Sequence, residues 1–125
     1  MPSFGQRSLE NLFGVHPDIV AVLEEAIKHY DFTVLEGVRS VERQKVLCGE
    51  GKSLTLLSKH LRQSDGHSHA VDIAPYPIDW DNTDEFFYLA GLIEGIALSM
   101  GITLQWGGRW KSLKDCPHYQ IRINK

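Results

Sequence analysis

Apolar side chains recur at helical spacing in the first half of the chain. Pro17 suits the first turn of a helix, and the apolar positions that follow it share one face: Ile19, Val20, Val22, Leu23, Ala26 and Ile27. Ser40 can cap a second helix over residues 41–48, which Gly49 and Gly51 would end. The pattern therefore predicts two helices before residue 52.

The clearest periodic stretch lies in the second half of the chain. Asn82 and Glu85 resemble a capping box at a helix start, and Gly101 supplies a C-terminal stop. Between them runs one apolar stripe: Phe86, Leu89, Ala90, Ile93, Ile96, Ala97 and Met100. We interpret all these stripes as surfaces that face the core, not as cofactor sites.

Four short stretches have the composition of strands, at residues 32–38, 70–74, 102–106 and 118–123. Helices and strands are mixed without the regularity of a parallel βαβ sheet. We therefore predict an α+β fold, a small antiparallel sheet with helices packed against it. A length of 125 residues predicts a single domain over residues 1–125.

Composition and charge narrow the class of protein. Hydrophobic residues make up 42% of the chain and charged residues 23%, which excludes a disordered or collagen-like protein. The net charge of −3 argues against a nucleic-acid partner. Residues 101–125 nevertheless carry five basic residues and one acidic residue. This basic end could steer an anionic substrate, or it could be a solvated face.

The sequence carries no signal for export or membrane insertion. Cys48 and Cys116 do not make a disulfide framework, so we expect reduced thiols in a cytosolic protein. The N-terminal residues lack the apolar run of a secretory signal, and no stretch approaches the roughly 18 apolar residues of a membrane span. We expect a soluble monomer, made in the cytoplasm, without a membrane partner.

Side chains with metal-binding chemistry cluster in two segments, residues 58–76 and 114–121. They are His60, His67, His69, Asp72, Asp115, Cys116 and His118. Two imidazoles and one carboxylate with an open fourth position form a catalytic zinc set, and a second acid nearby could move protons. His16 and His29 flank a predicted helix, and we interpret them as structural.

Six segments are informative when they are taken in order: GVHPDIVAVLEEAI, EGVRSVERQ, GKSLTLLSKH, HAVDIAPYPIDW, LQWGGRW and DCPHYQI. Together they resemble the phage endolysin peptidases of the VanY-type D-Ala-D-Ala carboxypeptidase and L-alanyl-D-glutamate endopeptidase superfamily. The matching motifs are Gly-x-Arg-Ser, Ser-x-His, Ala-x-Asp, Trp-Gly-Gly and Asp-x-x-His. The resemblance implies the hedgehog/DD-peptidase-like zinc peptidase fold.

The resemblance also implies roles for individual residues. It implies a Zn²⁺ site whose ligands are His60, Asp72 and His118. Asp115 matches the family's general base and acid, and Arg39 matches the arginine that steadies the scissile carbonyl or a substrate carboxylate. Gln44 and Ser58 match polar positions that bind substrate.

The sequence departs from the family pattern before the second zinc ligand. Eleven residues separate His60 from Asp72, as though the segment RQSDG at residues 62–66 were inserted. His67 and His69 lie nearer to Asp72, but both have an odd offset, so in a regular strand they would point to the opposite face. We expect His60 to be the ligand and residues 62–66 to form an exposed loop, with His67 and His69 as alternatives.

Cys116 and several aromatic residues allow more than one hypothesis. Cys116 could be a nucleophile or a zinc ligand, but we expect an inert structural thiol. Four aromatic side chains could wall a substrate groove or belong to the core: Tyr76, Trp106, Trp110 and Tyr119.

The function implied by the resemblance is zinc-dependent hydrolysis of the peptidoglycan stem peptide, at the L-alanyl–D-glutamate bond. A D-alanyl-D-alanine carboxypeptidase is the first alternative, and a zinc-containing module that binds without turnover is the second. Nucleic-acid binding through the basic end has no supporting motif. The expected site of action is the bacterial cell wall, after another factor releases the protein from the host cytoplasm.

Overall fold

The computed structural model describes residues 2–53, 57–111 and 114–123, so residues 54–56 of the Ser-x-His segment and Lys125 of the basic end lie outside it. The helices are α1 (Gln6–Leu12), α2 (Pro17–Ala26), α3 (Val41–Gly49) and α4 (Thr83–Ser99). The strands are β1 (Phe32–Glu36), β2 (Ala70–Pro75), β3 (Leu104–Trp106) and β4 (His118–Ile121), and a 3₁₀ turn covers Gly107–Arg109. The predicted α+β class is confirmed, although β1, β3 and β4 are shorter than the sequence pattern predicts.

The strands form one antiparallel sheet in the order β1-β2-β4-β3. In the pairing of β2 with β4, Asp72 lies opposite His118 and Val71 lies opposite Tyr119. Because side chains alternate between the faces of a strand, Asp72 and His118 share one face, whereas Val71 and Tyr119 share the other. The register thus places two predicted metal ligands side by side.

The hydrophobic core fills the space between the Val71 face of the sheet and helices α2 and α4. Apart from Leu12 of α1, its helical members come from the two predicted apolar stripes: Ile19, Val22, Leu23 and Ala26, then Leu89, Ala90, Ile93 and Ala97. Each large apolar side chain that is fully buried contributes about 1.5–3 kcal/mol. This packing fixes one face of the sheet and leaves the other face for chemistry. None of the helices in the described ranges is long and apolar enough to cross a membrane.

Helix α1 covers the outer edge of β1 and has no counterpart among the predicted elements. The Ser8 hydroxyl accepts a hydrogen bond from the Val34 N–H at 3.0 Å, and the Asn11 amide donates to the Val34 carbonyl at 2.8 Å. A Cβ at Gly37 would stand 2.0 Å from the Asn11 carbonyl oxygen, so only glycine permits this approach. The helix therefore satisfies edge groups that would otherwise be unpaired.

The N-cap predicted from sequence is present in α3 but not at the start of α4. The Ser40 hydroxyl accepts from the Arg43 N–H at 3.0 Å, as predicted. Asn82 makes no capping hydrogen bond through its side chain, so the predicted capping box is wrong. Its ψ of 76° lies outside the extended conformation that turns an N-cap side chain toward the helix amides. Gly101, with φ of 72°, follows the end of α4 as predicted.

Candidate metal centre

Three side chains predicted as zinc ligands meet at one point on the open face of the sheet. His60 Nε2 lies 3.2 Å from Asp72 Oδ1 and 3.2 Å from His118 Nδ1, and the last two atoms are also 3.2 Å apart. His60 and His118 are buried, and Asp72 is partly buried. The structure therefore brings the predicted set together as an equilateral triangle of two nitrogens and one oxygen.

Each ligand is positioned by a different part of the chain. Asp72 lies within β2 and His118 begins β4, so the sheet register aligns them. His60 approaches from the loop before β2: its carbonyl accepts from the Arg39 N–H at 2.8 Å. Its own N–H donates to the Ser58 hydroxyl at 3.1 Å. Ser58, predicted to bind substrate, thus lies behind the first ligand, where it shapes the turn that carries His60.

The outer ring nitrogens determine which inner nitrogens are free to bind a metal. His60 Nδ1 lies 2.9 Å from the Gly37 carbonyl oxygen, which can only accept, so Nδ1 carries the proton. His118 Nε2 lies 2.9 Å from Gln120 Oε1, and the Gln120 amide nitrogen donates to Gln105 at 3.1 Å, which fixes its orientation. In the neutral rings, both inner nitrogens therefore present lone pairs to the centre.

Three lone pairs at 3.2 Å from one another repel unless a positive charge lies between them. Tetrahedral coordination with bonds of about 2.0–2.1 Å gives ligand atoms about 3.3 Å apart, close to the observed spacing. Hydrogen-bonded outer nitrogens are also the usual support of metal-bound imidazoles. The residues present therefore fit a divalent metal ion with nitrogen and oxygen ligands.

The charges within the site favour the binding of a cation. Burial alone would raise the pKa of Asp72, but the neighbouring imidazoles of His118 and His60 outweigh this effect and hold it well below its usual range. Burial lowers the pKa of His118, yet the hydrogen bond and negative charge of Asp72 give a net increase. The centre thus keeps an ionised carboxylate and attracts positive charge.

Asp115 lies on the turn that leads into β4, beside the three ligands. Its carbonyl accepts from the His118 N–H at 3.1 Å, and its N–H donates to the Gly107 carbonyl at 3.0 Å. Burial raises the pKa of the Asp115 carboxyl, and the negative charge of Asp72 raises it further, whereas His118, His60 and Arg39 act in the opposite direction. The result is a carboxylate with raised proton affinity, which suits a general base.

Arg39 reaches the centre from the loop after β1. Its Nη2 lies 3.8 Å from Asp72 Oδ2, its Nη1 donates to Gln44 Oε1 at 2.8 Å, and its Nε pairs with Glu36. Gln44 is almost fully buried and also donates to Ser53 at 2.8 Å. Gln44, predicted to bind substrate, thus lies behind Arg39 and orients the guanidinium.

Neither of the alternative first ligands, His67 and His69, lies in this triangle. His69 Nε2 instead bonds Asp65 Oδ2 at 2.8 Å, and His16 Nε2 lies 3.8 Å from the same oxygen. We call His16, Asp65 and His69 the polar latch, because they join the inserted residues 62–66 to the start of α2. Four of the five inserted residues are exposed, in agreement with the predicted loop.

The polar latch also combines two imidazoles with a carboxylate, but its hydrogen bonding differs from that of the triangle. His16 Nδ1 accepts a hydrogen bond from the Asp18 N–H at 3.0 Å, so the neutral ring carries its proton on Nε2. That nitrogen therefore faces Asp65 as a donor, and it has no lone pair for a metal. We interpret the latch as a structural site held together by hydrogen bonds.

The aromatic residues proposed as a groove wall separate into core and surface. Trp106 and Tyr119 are buried in the core, and Trp106 Nε1 donates to the Cys116 carbonyl at 2.7 Å. Tyr76 is exposed, whereas the half-buried Trp110 packs on His118 with ring centroids 5.1 Å apart. Cys116 packs against the core as a free thiol. Among the four aromatic residues, Trp110 is the one in ring contact with the metal centre.

Two supporting groups were not identified from sequence. Gln120 could have been found, because it lies two residues after His118 in a strand and so shares its face. The Gly37 carbonyl could not, because any residue supplies a carbonyl and only the fold brings this one to His60. Gly107 belongs to the recognised Trp-Gly-Gly motif, but its close approach to Asp115 appears only in three dimensions.

Comparison with known proteins gives one consistent family. Residues 2–123 match the family model described as phage L-alanyl-D-glutamate peptidase. The L-alanyl-D-glutamate peptidase of Escherichia phage T5 is 30% identical over an alignment of 120 residues that covers 90% of this chain and 84% of that protein. The crystal structure of the Serratia marcescens L-Ala D-Glu endopeptidase ChiX superposes with a TM-score of 0.84 at 41% identity, over 95% of this chain and 89% of that one. The chain belongs to the phage L-alanyl-D-glutamate peptidase family.

Proposed function

We propose that this protein is a Zn²⁺-dependent peptidase that hydrolyses the L-alanyl–D-glutamate bond of peptidoglycan stem peptides. The observation that carries the proposal is the triangle of His60, Asp72 and His118 beside the partly buried Asp115, in a chain whose relatives are named for that bond. Two imidazoles, one carboxylate and an open position are typical of catalytic zinc. The site of action is the cell wall, reached after release from the host cytoplasm.

His60, Asp72 and His118 would hold the metal, which when bound activates a water molecule and polarises the substrate carbonyl. Asp115 has the raised proton affinity to take the proton of the attacking water. The same carboxyl group then gives the proton to the amine that leaves when the peptide bond breaks. One residue can therefore serve as base and then as acid.

Arg39 is placed to bind an oxygen of the substrate. Glu36 and Gln44 hold two of its nitrogens, and its Nη2 faces the metal-ligand carboxylate. A guanidinium fixed in this way can stabilise negative charge on the carbonyl oxygen without reorganising during the reaction. Losing one such donor typically lowers the rate by about 10²–10³-fold.

The test is muropeptide analysis of purified peptidoglycan by mass spectrometry after incubation with the wild type and with Asp115→Asn. We expect new peptides that begin with glutamate from the wild type. The variant should keep its metal and lose about 10²–10⁴-fold in rate, because an amide cannot accept the proton. Glu24→Gln, an exposed carboxylate on α2, is the matched control and should be fully active.

Two other outcomes of the muropeptide analysis would contradict the proposed function. Release of terminal D-alanine alone would indicate a carboxypeptidase. Binding to peptidoglycan without any new peptide would indicate a module without turnover. Unchanged activity of Asp115→Asn would remove this carboxylate from the mechanism.

A further inference from the structure

A groove of about 470 Å³ opens next to the metal centre, between α4 and the segment that follows β3. Phe87 and Gly91 of α4 line one side, and Trp106, Trp110, Lys111 and Lys114 line the other. This volume lies in the range of ligand sites in proteins. The Trp110 ring belongs both to the groove and to the surroundings of His118, so the two sites are adjacent.

The charge of this groove is positive and not neutralised by the protein. Arg109 also lies on its wall, but Glu94 binds that guanidinium through two hydrogen bonds of 2.8 Å. Across the described ranges, no carboxylate lies within ion-pair distance of Lys111 or Lys114. Two exposed ammonium groups are therefore free to meet an anionic ligand beside aromatic walls.

The proposed substrate places an anion close to the bond that is cut. Glutamate has two carboxyl groups, and a stem peptide that continues beyond it uses one of them in an amide bond. The second carboxyl group is then a free carboxylate on the leaving side of the scissile bond. Its charge and the aliphatic chain that follows match a groove with ammonium groups and aromatic rings.

We infer that this groove is the subsite for the leaving side of the substrate, in which Lys111 and Lys114 pair with the glutamate carboxylate and Trp110 packs on the adjoining chain. The inference rests on the proposed function and adds a substrate preference to it. A substrate with a free carboxylate binds better than the same peptide with that group amidated. The basic end of the chain thus acts on an anionic substrate and is not merely solvated.

The first experiment compares two synthetic stem peptides that differ only in a carboxylate or a carboxamide at this glutamate. For the wild type we expect a lower KM for the acid. The double variant Lys111→Gln/Lys114→Gln should raise the KM of the acid about three- to tenfold, as expected for two exposed charge contacts. Its kcat and its KM for the amide should not change.

Lys28→Gln is the matched control, because it removes one exposed ammonium just after the end of α2, where Glu25 is its partner at 3.6 Å. It should keep the full preference for the acid. Added salt should reduce the preference of the wild type, because exposed charges are screened. A preference for the acid that persists unchanged in the double variant would show that Arg39 or another group binds this carboxylate.

A second variant tests whether the substrate occupies the space of the groove, independently of the charge of its lysines. A Cβ at Gly91 would meet no atom within 4 Å, so a side chain can leave the helix backbone there, and Gly91→Leu places its side chain in the groove from the helix side. It should raise the KM for both peptides. Gly95→Leu, one turn along the same helix and equally open, does not line the groove and should leave both KM values unchanged.

The outcomes separate this inference from the proposed function. If the wild type cuts neither peptide, both the function and the subsite are wrong. If it cuts both, and neither the lysine pair nor Gly91→Leu changes KM, the function stands and the subsite is overturned. Metal content measured on every variant shows that the metal centre itself is intact.

Discussion

The two imidazoles of the metal centre present different nitrogens, Nε2 of His60 and Nδ1 of His118, for one reason. In each ring the outer nitrogen donates to an oxygen that can only accept, the Gly37 carbonyl or Gln120 Oε1. The inner nitrogen is then left with its lone pair. His16 is the counterexample, because its Nδ1 accepts from the backbone and its Nε2 carries the proton. The acceptor behind a ring therefore decides whether a histidine can be a ligand.

Gln120→Leu should weaken zinc binding about 10–100-fold, the usual effect of losing a hydrogen-bond partner behind a metal ligand. Leucine offers no acceptor to His118 Nε2–H, so the ring can move its proton to Nδ1, the nitrogen that must bind the metal. Competition with a chromophoric chelator measures the affinity. Gln105→Leu, which removes only the next amide in the chain of hydrogen bonds, should have a smaller effect. Equal affinities for wild type and Gln120→Leu would show that the ring is oriented by other contacts.

At the scale of elements, Asp115, the proposed general base, is placed by a turn and not by a helix or strand. The Trp-Gly-Gly segment meets the Asp115 turn through two hydrogen bonds, from Trp106 Nε1 to the Cys116 carbonyl and from the Asp115 N–H to Gly107. A Cβ at Gly107 would stand 2.3 Å from the Asp115 carbonyl oxygen. Glycine here allows two backbone segments to touch, so the turn can carry Asp115 to the metal ligands.

Gly107→Ala should lower kcat more than it lowers metal content. The added methyl group forces the Asp115 turn away, at a cost of roughly 1–3 kcal/mol in the free energy of unfolding. Urea unfolding and kcat on a stem peptide are the two measurements. Gly49→Ala is the control, because a Cβ there meets nothing within 4 Å. A fully active and fully stable Gly107→Ala would mean that the turn adapts and that its position is not what sets Asp115.

The polar latch gives a second prediction at the scale of elements, which concerns how the stability of the fold depends on pH. The hydrogen bond from His69, followed by the one from the His67 N–H, holds the pKa of Asp65 below its usual value of 3.8. A depressed carboxyl pKa stabilises the fold at pH values above 3.8, and this contribution is lost as the pH falls through the lower, folded value. Asp65→Asn should therefore unfold more easily than the wild type at about pH 6, and the difference should shrink toward about pH 3.

Urea titrations at several pH values measure this difference. Asp81 is an exposed carboxylate beyond β2 and serves as the control. The difference in the free energy of unfolding between Asp81→Asn and the wild type should not shrink as the pH falls. If Asp65→Asn and the wild type differ by the same amount at every pH, the carboxylate does not contribute through its charge.

The elements and ligands that could be predicted are those whose signal is local. Apolar periodicity revealed α2 and α4, and strand parity, together with the family motifs, favoured His60 over His67 and His69. Helix α1 gave no such signal, because two of its inward groups, Ser8 and Asn11, are polar and serve the edge of β1. The contacts of Gln44 with Arg39 and of Ser58 with His60 could not be predicted either, since only the fold brings these groups together.

At the scale of the whole molecule, the metal centre joins segments that are distant in sequence. His60 comes from a loop, Asp72 from β2 and His118 from β4; Asp72 follows His60 by 12 positions, and His118 follows Asp72 by 46. An unfolded chain does not hold these three groups together. A metal ion that binds the folded state alone therefore stabilises the entire fold by mass action.

Removal of zinc should accordingly lower the melting temperature of the protein. At a free zinc concentration of about 1,000 times Kd, binding contributes about 4 kcal/mol, which for a domain of this size is a shift in Tm of roughly 10–20 °C. Differential scanning calorimetry with and without a chelator measures it. His60→Ala should have a low Tm that the chelator no longer changes. His67→Ala should keep the response of the wild type, because His67 is not in the triangle. If His67→Ala abolishes the response and His60→Ala preserves it, the first ligand lies on the other side of the inserted turn, since mass action can act only through residues that hold the ion.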